Sequence, residues 1–135
     1  MAHIALAVRD QERSRRFYEQ WFGFDPETAW VAEDGTLLMD GPGDVSLALV
    51  EVDEVIVLPR FVHFGFRSAE SPEEVRSFRD RLGEAGVEIV EFWDEPDYVS
   101  VKCRDPDGYV IEFSWEPGQE GRGETSAVRH SAKPS

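Results

Sequence analysis

A chain of 135 residues, 41% hydrophobic and 12% aromatic, carries enough apolar surface for one packed domain without disulfide or metal staples. Its 28 acidic against 14 basic side chains give a formal charge of −14 and a pI near 4.5, which speaks against a nucleic-acid partner, because a phosphate backbone needs a basic stripe. One cysteine, Cys103, forms no internal disulfide and no thiolate cluster. No apolar run approaches the roughly twenty residues of a membrane span and no signal-type segment follows Met1, so the expectation is a cytoplasmic protein with a small-molecule ligand.

His3-Ile4-Ala5-Leu6-Ala7-Val8 is apolar on both sides and reads as a strand inside a sheet. Asp10 offers an N-cap to a helix ending at Gly23, with Phe17, Tyr18, Trp21 and Phe22 at helical spacing opposite Arg13, Arg15, Arg16 and Glu19. Short strands are then expected over 28–32, 36–39 and 45–52, separated by Glu33-Asp34-Gly35 and by Asp40-Gly41-Pro42-Gly43-Asp44. The order repeats. His63-Phe64-Gly65-Phe66 opens a second strand, and Ser71-Pro72-Glu73-Glu74 forms a capping box with Pro at the first helical position. Val75, Phe78, Leu82 and Ala85 mark a helical stripe before Gly86, and strands follow over 87–92, 98–103 and 109–115. The fold class is therefore α+β, with two tandem βαβββ modules at about 1–58 and 59–116 forming a cupped mixed sheet. The polar stretch 117–135 reads as a tail, and its His130 is discounted.

The turn Asp105-Pro106-Asp107-Gly108 has a chemical basis, with Pro presetting φ and Gly accepting φ > 0. In the strand that follows, Tyr109, Ile111, Phe113 and Trp115 share one face, leaving Glu112 between Val110 and Ser114 on the other. A carboxylate there must be solvated, hydrogen-bonded or bound to a cation. Six residues beyond Pro106 stands Glu112, and six beyond Pro42 stands Ala48. The repeat thus offers two strand-opening and two strand-closing positions, held by His3, His63, Ala48 and Glu112. Two imidazoles and a carboxylate suit Fe(II) or Mn(II), with Zn(II), Ni(II) and Co(II) possible, and leave coordination positions for substrate. Each such His taken singly is more often a satisfied core or surface residue.

The strand from His3, the helix through Phe17-Tyr18-Glu19-Gln20-Trp21-Phe22-Gly23-Phe24, the strand at His63 and Asp105-Pro-Asp-Gly-Tyr-Val-Ile-Glu112 together resemble the vicinal oxygen chelate superfamily. That superfamily includes glyoxalases, extradiol dioxygenases, fosfomycin-resistance enzymes and bleomycin-resistance proteins. The resemblance implies a metal held by His3, His63 and Glu112 and a homodimer, since in small members the cup is often shared between two chains, and it leaves open whether the site lies within one chain or between two. Ala48 departs from the acidic ligand usual in glyoxalase I. Ala5 replaces the Thr typical of fosfomycin-resistance enzymes, for whose Arg after the metal Glu only Arg122 offers itself. A dioxygenase-like enzyme acting on a substrate with vicinal oxygens is therefore favoured over a lyase, isomerase or thiol transferase. Trp30, Phe92 and Trp93 are expected to line the substrate pocket, with Tyr98 as acid-base group or substrate contact. The alternative is a non-catalytic dimer sequestering a cationic or aromatic antibiotic.

Overall fold

The computed structural model describes residues 2–118, so Arg122 and His130 lie outside the described residues. In chain order the first module comprises β1 (Ala2–Val8), α1 (Gln11–Phe22), a 3-10 turn at Pro26–Thr28, β2 (Trp30–Val31), β3 (Leu37–Asp40) and β4 (Val45–Glu51). The second comprises β5 (His63–Phe64), α2 (Pro72–Glu84), β6 (Ile89–Glu95), β7 (Tyr98–Arg104) and β8 (Val110–Trp115). Each module forms its own four-stranded mixed sheet, ordered β1-β4-β3-β2 and β5-β8-β7-β6, in which the first strand lies parallel to the last.

Both helices begin where side-chain chemistry starts them. The Asp10 carboxylate accepts from the Arg13 N–H, and the Ser71 hydroxyl from the Glu74 N–H. Gly23, at φ 74°, ends α1 in the left-handed conformation that suits glycine. The expected strand over 28–32 is shortened to two residues, because Asp25 caps Pro26–Thr28 as a helical turn with Pro at its start. The capping box is also modified: the Glu74 carboxylate accepts from the Glu70 N–H.

Each sheet buries one face against the helices. In the first these are Leu6, Val8, Leu37, Met39, Leu47 and Leu49, and in the second Val99, Val101, Cys103, Ile111 and Phe113. With Tyr18 and Phe22 of α1 and Val75, Phe78 and Leu82 of α2 they form one continuous core. Edge-to-face contacts such as Phe22 with Phe78 and Tyr18 with Phe66 join the modules.

The Asp-Pro-Asp-Gly turn completes that junction. Asp105 accepts from the Asp107 and Tyr109 N–H groups and from the buried Tyr18 hydroxyl. Asp107 reaches into the first module, where it accepts from the Arg9 N–H at 3.1 Å, the Ser14 hydroxyl at 3.2 Å and the Arg13 guanidinium at 3.3 Å. The turn thus locks β7 and β8 onto the start of α1.

Candidate metal centre

The repeat inferred from the two prolines is reproduced in strand register. His3 pairs with Ser46 and His63 with Val110, so Ala48 and Glu112 each stand two residues beyond the partner of a histidine. Because pairing fixes the face, His63, Val110 and Glu112 project to the side of the second sheet opposite its helix-packed face. Antiparallel pairing adds Lys102 opposite Glu112, and Trp93 opposite Ser100, while Tyr98 falls two residues from Ser100 on that same side.

Glu112 is buried on this face. Its Oε2 accepts from the Tyr98 hydroxyl at 2.7 Å and the Ser100 hydroxyl at 2.5 Å. Oε1 lies 3.5 Å from His63 Nε2. The other ring nitrogen of His63, Nδ1, is 2.8 Å from the Phe61 carbonyl oxygen. A carbonyl oxygen only accepts, so Nδ1 carries a proton, and it is Nε2, facing Glu112, that is protonated in the charged ring and offers a lone pair in the neutral one. The Glu112 carboxylate draws the His63 pKa above its ordinary value, and partial burial opposes the rise.

Two donors bound to one divalent ion at about 2.1 Å each, separated by about 90 to 110°, stand about 3.0 to 3.4 Å apart, and the 3.5 Å between Nε2 and Oε1 lies just above that range. The outer atoms of both side chains are anchored by a backbone carbonyl and two hydroxyls, the kind of support that fixes metal ligands.

The third expected ligand is not brought to them within one chain. Among the described residues no three His, Cys, Asp or Glu side chains converge to hold a metal. The reason is topological: β1 with His3 and β5 with His63 are edge strands of separate sheets. His3 is exposed, on the face of the first sheet that also carries Ala5 and Ala48.

The expected pocket residues divide similarly. Trp93 lies on the Glu112 face and is half-buried. Phe92 does not, since strand alternation turns it to the helix side, where the Arg79 guanidinium stacks on its ring 4.3 Å from the centroid. Trp30, 59% exposed, belongs to the first sheet, on the same side as Leu38 and Ala48. Tyr98 is beside the His63–Glu112 pair, but burial and the Glu112 charge push its phenol far above its usual pKa. It therefore keeps its proton near neutrality and serves Glu112 as a hydrogen-bond donor.

Sequence reasoning missed three members of this face. Ser100 bonds Glu112, and Lys102 Nζ bonds Glu91 Oε1 at 2.7 Å, with both side chains largely buried. The signal was present in Tyr98-Val99-Ser100-Val101-Lys102, whose polar groups all fall on one parity.

Comparison with known proteins agrees with this architecture. Residues 1–113 match the model of the Glyoxalase/Bleomycin resistance protein/Dioxygenase superfamily. A trivalent organoarsenical cleaving enzyme of Bacillus sp. (strain MD1) is 33% identical over 122 residues, covering 83% of this chain and 70% of that protein. Among solved structures, a glyoxylase/bleomycin resistance protein/dioxygenase domain from Frankia sp. EAN1pec is 25% identical with a TM-score of 0.68, covering 86% of this chain and 96% of that one. The fosfomycin resistance protein FosX of Listeria monocytogenes shares the fold at TM-score 0.71 and 19% identity, covering 89% and 92% of the two chains, in a form complexed with Mn(II) and sulfate. With a family model spanning both modules and a relative of this identity, the chain belongs to the glyoxalase/bleomycin resistance/dioxygenase superfamily.

Proposed function

We propose that this protein is a divalent-metal-dependent enzyme acting on a small substrate with two adjacent oxygens. The observation that carries the reading is the His63–Glu112 pair: Nε2 and Oε1 stand 3.5 Å apart, and the far atoms are fixed by Phe61, Tyr98 and Ser100. His63 and Glu112 of one chain hold the ion, and His3 of a second copy completes a 2-His-1-carboxylate set, for which Fe(II) or Mn(II) is favoured. Such an ion supplies a Lewis acid for a chelating substrate and an open position for dioxygen. The chain's own residues do the positioning: Phe61 fixes the His63 tautomer, Tyr98 and Ser100 orient Glu112, and Trp93 offers an aromatic wall on the same face.

Two features support a homodimer. The segment joining the modules exposes Ile56, Val57 and Phe61, at 82, 85 and 78%. Apolar side chains so exposed and so close together mark an association surface. The edge strands β1 and β5 moreover leave the face bearing His3 and the face bearing His63 and Glu112 to be joined between copies.

Dioxygenase-like cleavage leads over lyase, isomerase or thiol-transfer chemistry. The organoarsenical activity of the Bacillus relative is not carried over. Trivalent arsenic is thiophilic, whereas the sole cysteine here, Cys103, is buried on the helix side of β7 with its thiol pKa pushed up to about 12.

The test is elemental analysis of anaerobically purified wild-type protein beside His63→Ala. Near-stoichiometric iron or manganese that is lost in the variant supports the reading, and wild-type protein refusing added Fe(II), Mn(II), Ni(II) and Zn(II) sinks it. The exposed Trp30 favours a second reading, antibiotic sequestration without chemistry. Equal binding of a bleomycin-like compound with and without metal selects it.

A further inference from the structure

Lys102 and Glu91 form an ion pair on the face that carries His63 and Glu112. Lys102 stands directly opposite Glu112 across the β7–β8 ladder, on the same face, and side chains so paired have Cβ atoms about 4.5 to 5.5 Å apart. A lysine stem from that position reaches the Glu112 carboxylate with ease. Its ammonium is turned the other way, onto Glu91 Oε1 at 2.7 Å. Glu91 is the β6 residue paired with Lys102 on its opposite flank. Lys102 therefore lies between two carboxylates, and the side chains of the pair it forms are only 17% and 13% exposed.

An ammonium beside a divalent-metal site opposes the metal in two ways: it repels the cation, and it competes as a counter-ion for the ligand carboxylate. Both effects grow as the site is shielded from water. A carboxylate on the far flank of the lysine counters both at once. Resting on the metal-site reading above, we infer that Glu91 is a positioning residue for the metal centre. It holds Lys102 away from Glu112 and neutralises its charge, so that Glu112 stays available to a divalent cation. The alternative role, a pair that only pins β6 to β7, predicts a change in stability and none in metal affinity once folding is intact.

The experiment is Mn(II) titration of the full chain, with free Mn(II) read by electron paramagnetic resonance and folding checked by thermal melting. It compares wild type, Glu91→Ala, Lys102→Met and the double variant. Glu91→Ala is expected to weaken Mn(II) binding by about tenfold or more, because the released ammonium takes up Glu112. Lys102→Met keeps the apolar stem without the charge and should bind Mn(II) as tightly as wild type or more tightly. The double variant should recover wild-type affinity, a rescue that loss of a strand-pinning contact does not produce. Should Glu91→Ala fold poorly, Glu91→Gln keeps the shape and carries the same prediction with the same rescue. Wild-type affinity in a folded Glu91 variant, or a loss that Lys102→Met does not reverse, overturns the inference. Wild-type protein that takes up none of Mn(II), Fe(II), Ni(II) and Zn(II) instead overturns the underlying metal-site reading, so the two failures are distinct.

Discussion

Several single atoms decide how this site is held. Gly65 allows β5 to approach β8: a Cβ built there meets the Glu112 carbonyl oxygen at 2.7 Å, too close for either backbone to stay in place. Gly65→Ala should lower stability by about 1 to 3 kcal/mol and weaken Mn(II) binding with it, read by denaturant titration and metal titration on the same sample. An unchanged Mn(II) affinity would separate the backbone of β8 from its ligand. Asp105 gives a pH test. Burial raises its pKa above the ordinary carboxyl value, although Tyr18 and two backbone N–H groups oppose the rise. A carboxyl with a raised folded pKa contributes stability that is full below its unfolded value, about 3.9, and is lost as pH rises through the folded value. Asp105→Asn removes that dependence while its amide oxygen still meets both N–H groups. Unfolding free energies should accordingly shift in the variant's favour, relative to wild type, on going from about pH 4 to pH 7. A shift in the opposite direction contradicts burial as the dominant effect. Which residues lie near Glu112 was partly legible in sequence. What they do there was not, because alternation gives a face and no distances: Tyr98, expected as an acid-base group or substrate contact, is a donor to Glu112.

At the scale of elements, helix starts were the most legible features, since Asp10 and Ser71 are capping residues in sequence and in structure. The strands of the second module were legible in kind and short in register. Phe92 and Trp93 are adjacent in one strand and cannot both face the same side, and only the pairing of Phe92 with Val101 and Trp93 with Ser100 says which one does. The Asp105–Gly108 turn was read as a local device, yet Asp107 spends its carboxylate on the other module. No periodicity encodes a contact between residues 14 and 107, because it depends on how two finished modules pack. With its side chain fully buried against Arg9 and Arg13, Asp107→Ala should destabilise the fold by about 2 to 4 kcal/mol. Urea denaturation measures it, and a loss below about 0.5 kcal/mol, the range of ordinary surface changes, would show that the turn does not lock the modules.

On the scale of the whole molecule, the repeat provides two copies of one scaffold and loads them unequally. Module one presents His3 with Ala48, and module two His63 with Glu112. Sequence arithmetic recovered these four positions because the register of each module is the same. It expected three ligands at a single point, and one chain does not gather them, since its two sheets do not share an edge. On the proposed reading a second copy supplies the missing ligand, and the exposed Ile56, Val57 and Phe61 offer its contact surface. Charging that surface, as in the pair Ile56→Asp and Phe61→Asp, should convert a dimer to monomer by light scattering and remove Mn(II) binding together with it. The most direct measurement is complementation. His3→Ala and His63→Ala chains, each unable to hold Mn(II) alone, are refolded or co-expressed together and titrated as the mixed dimer. A site shared between copies regains about one Mn(II) per mixed dimer, because one of its two sites then has every ligand intact. A mixed dimer that binds no more Mn(II) than either variant alone would contradict the shared site.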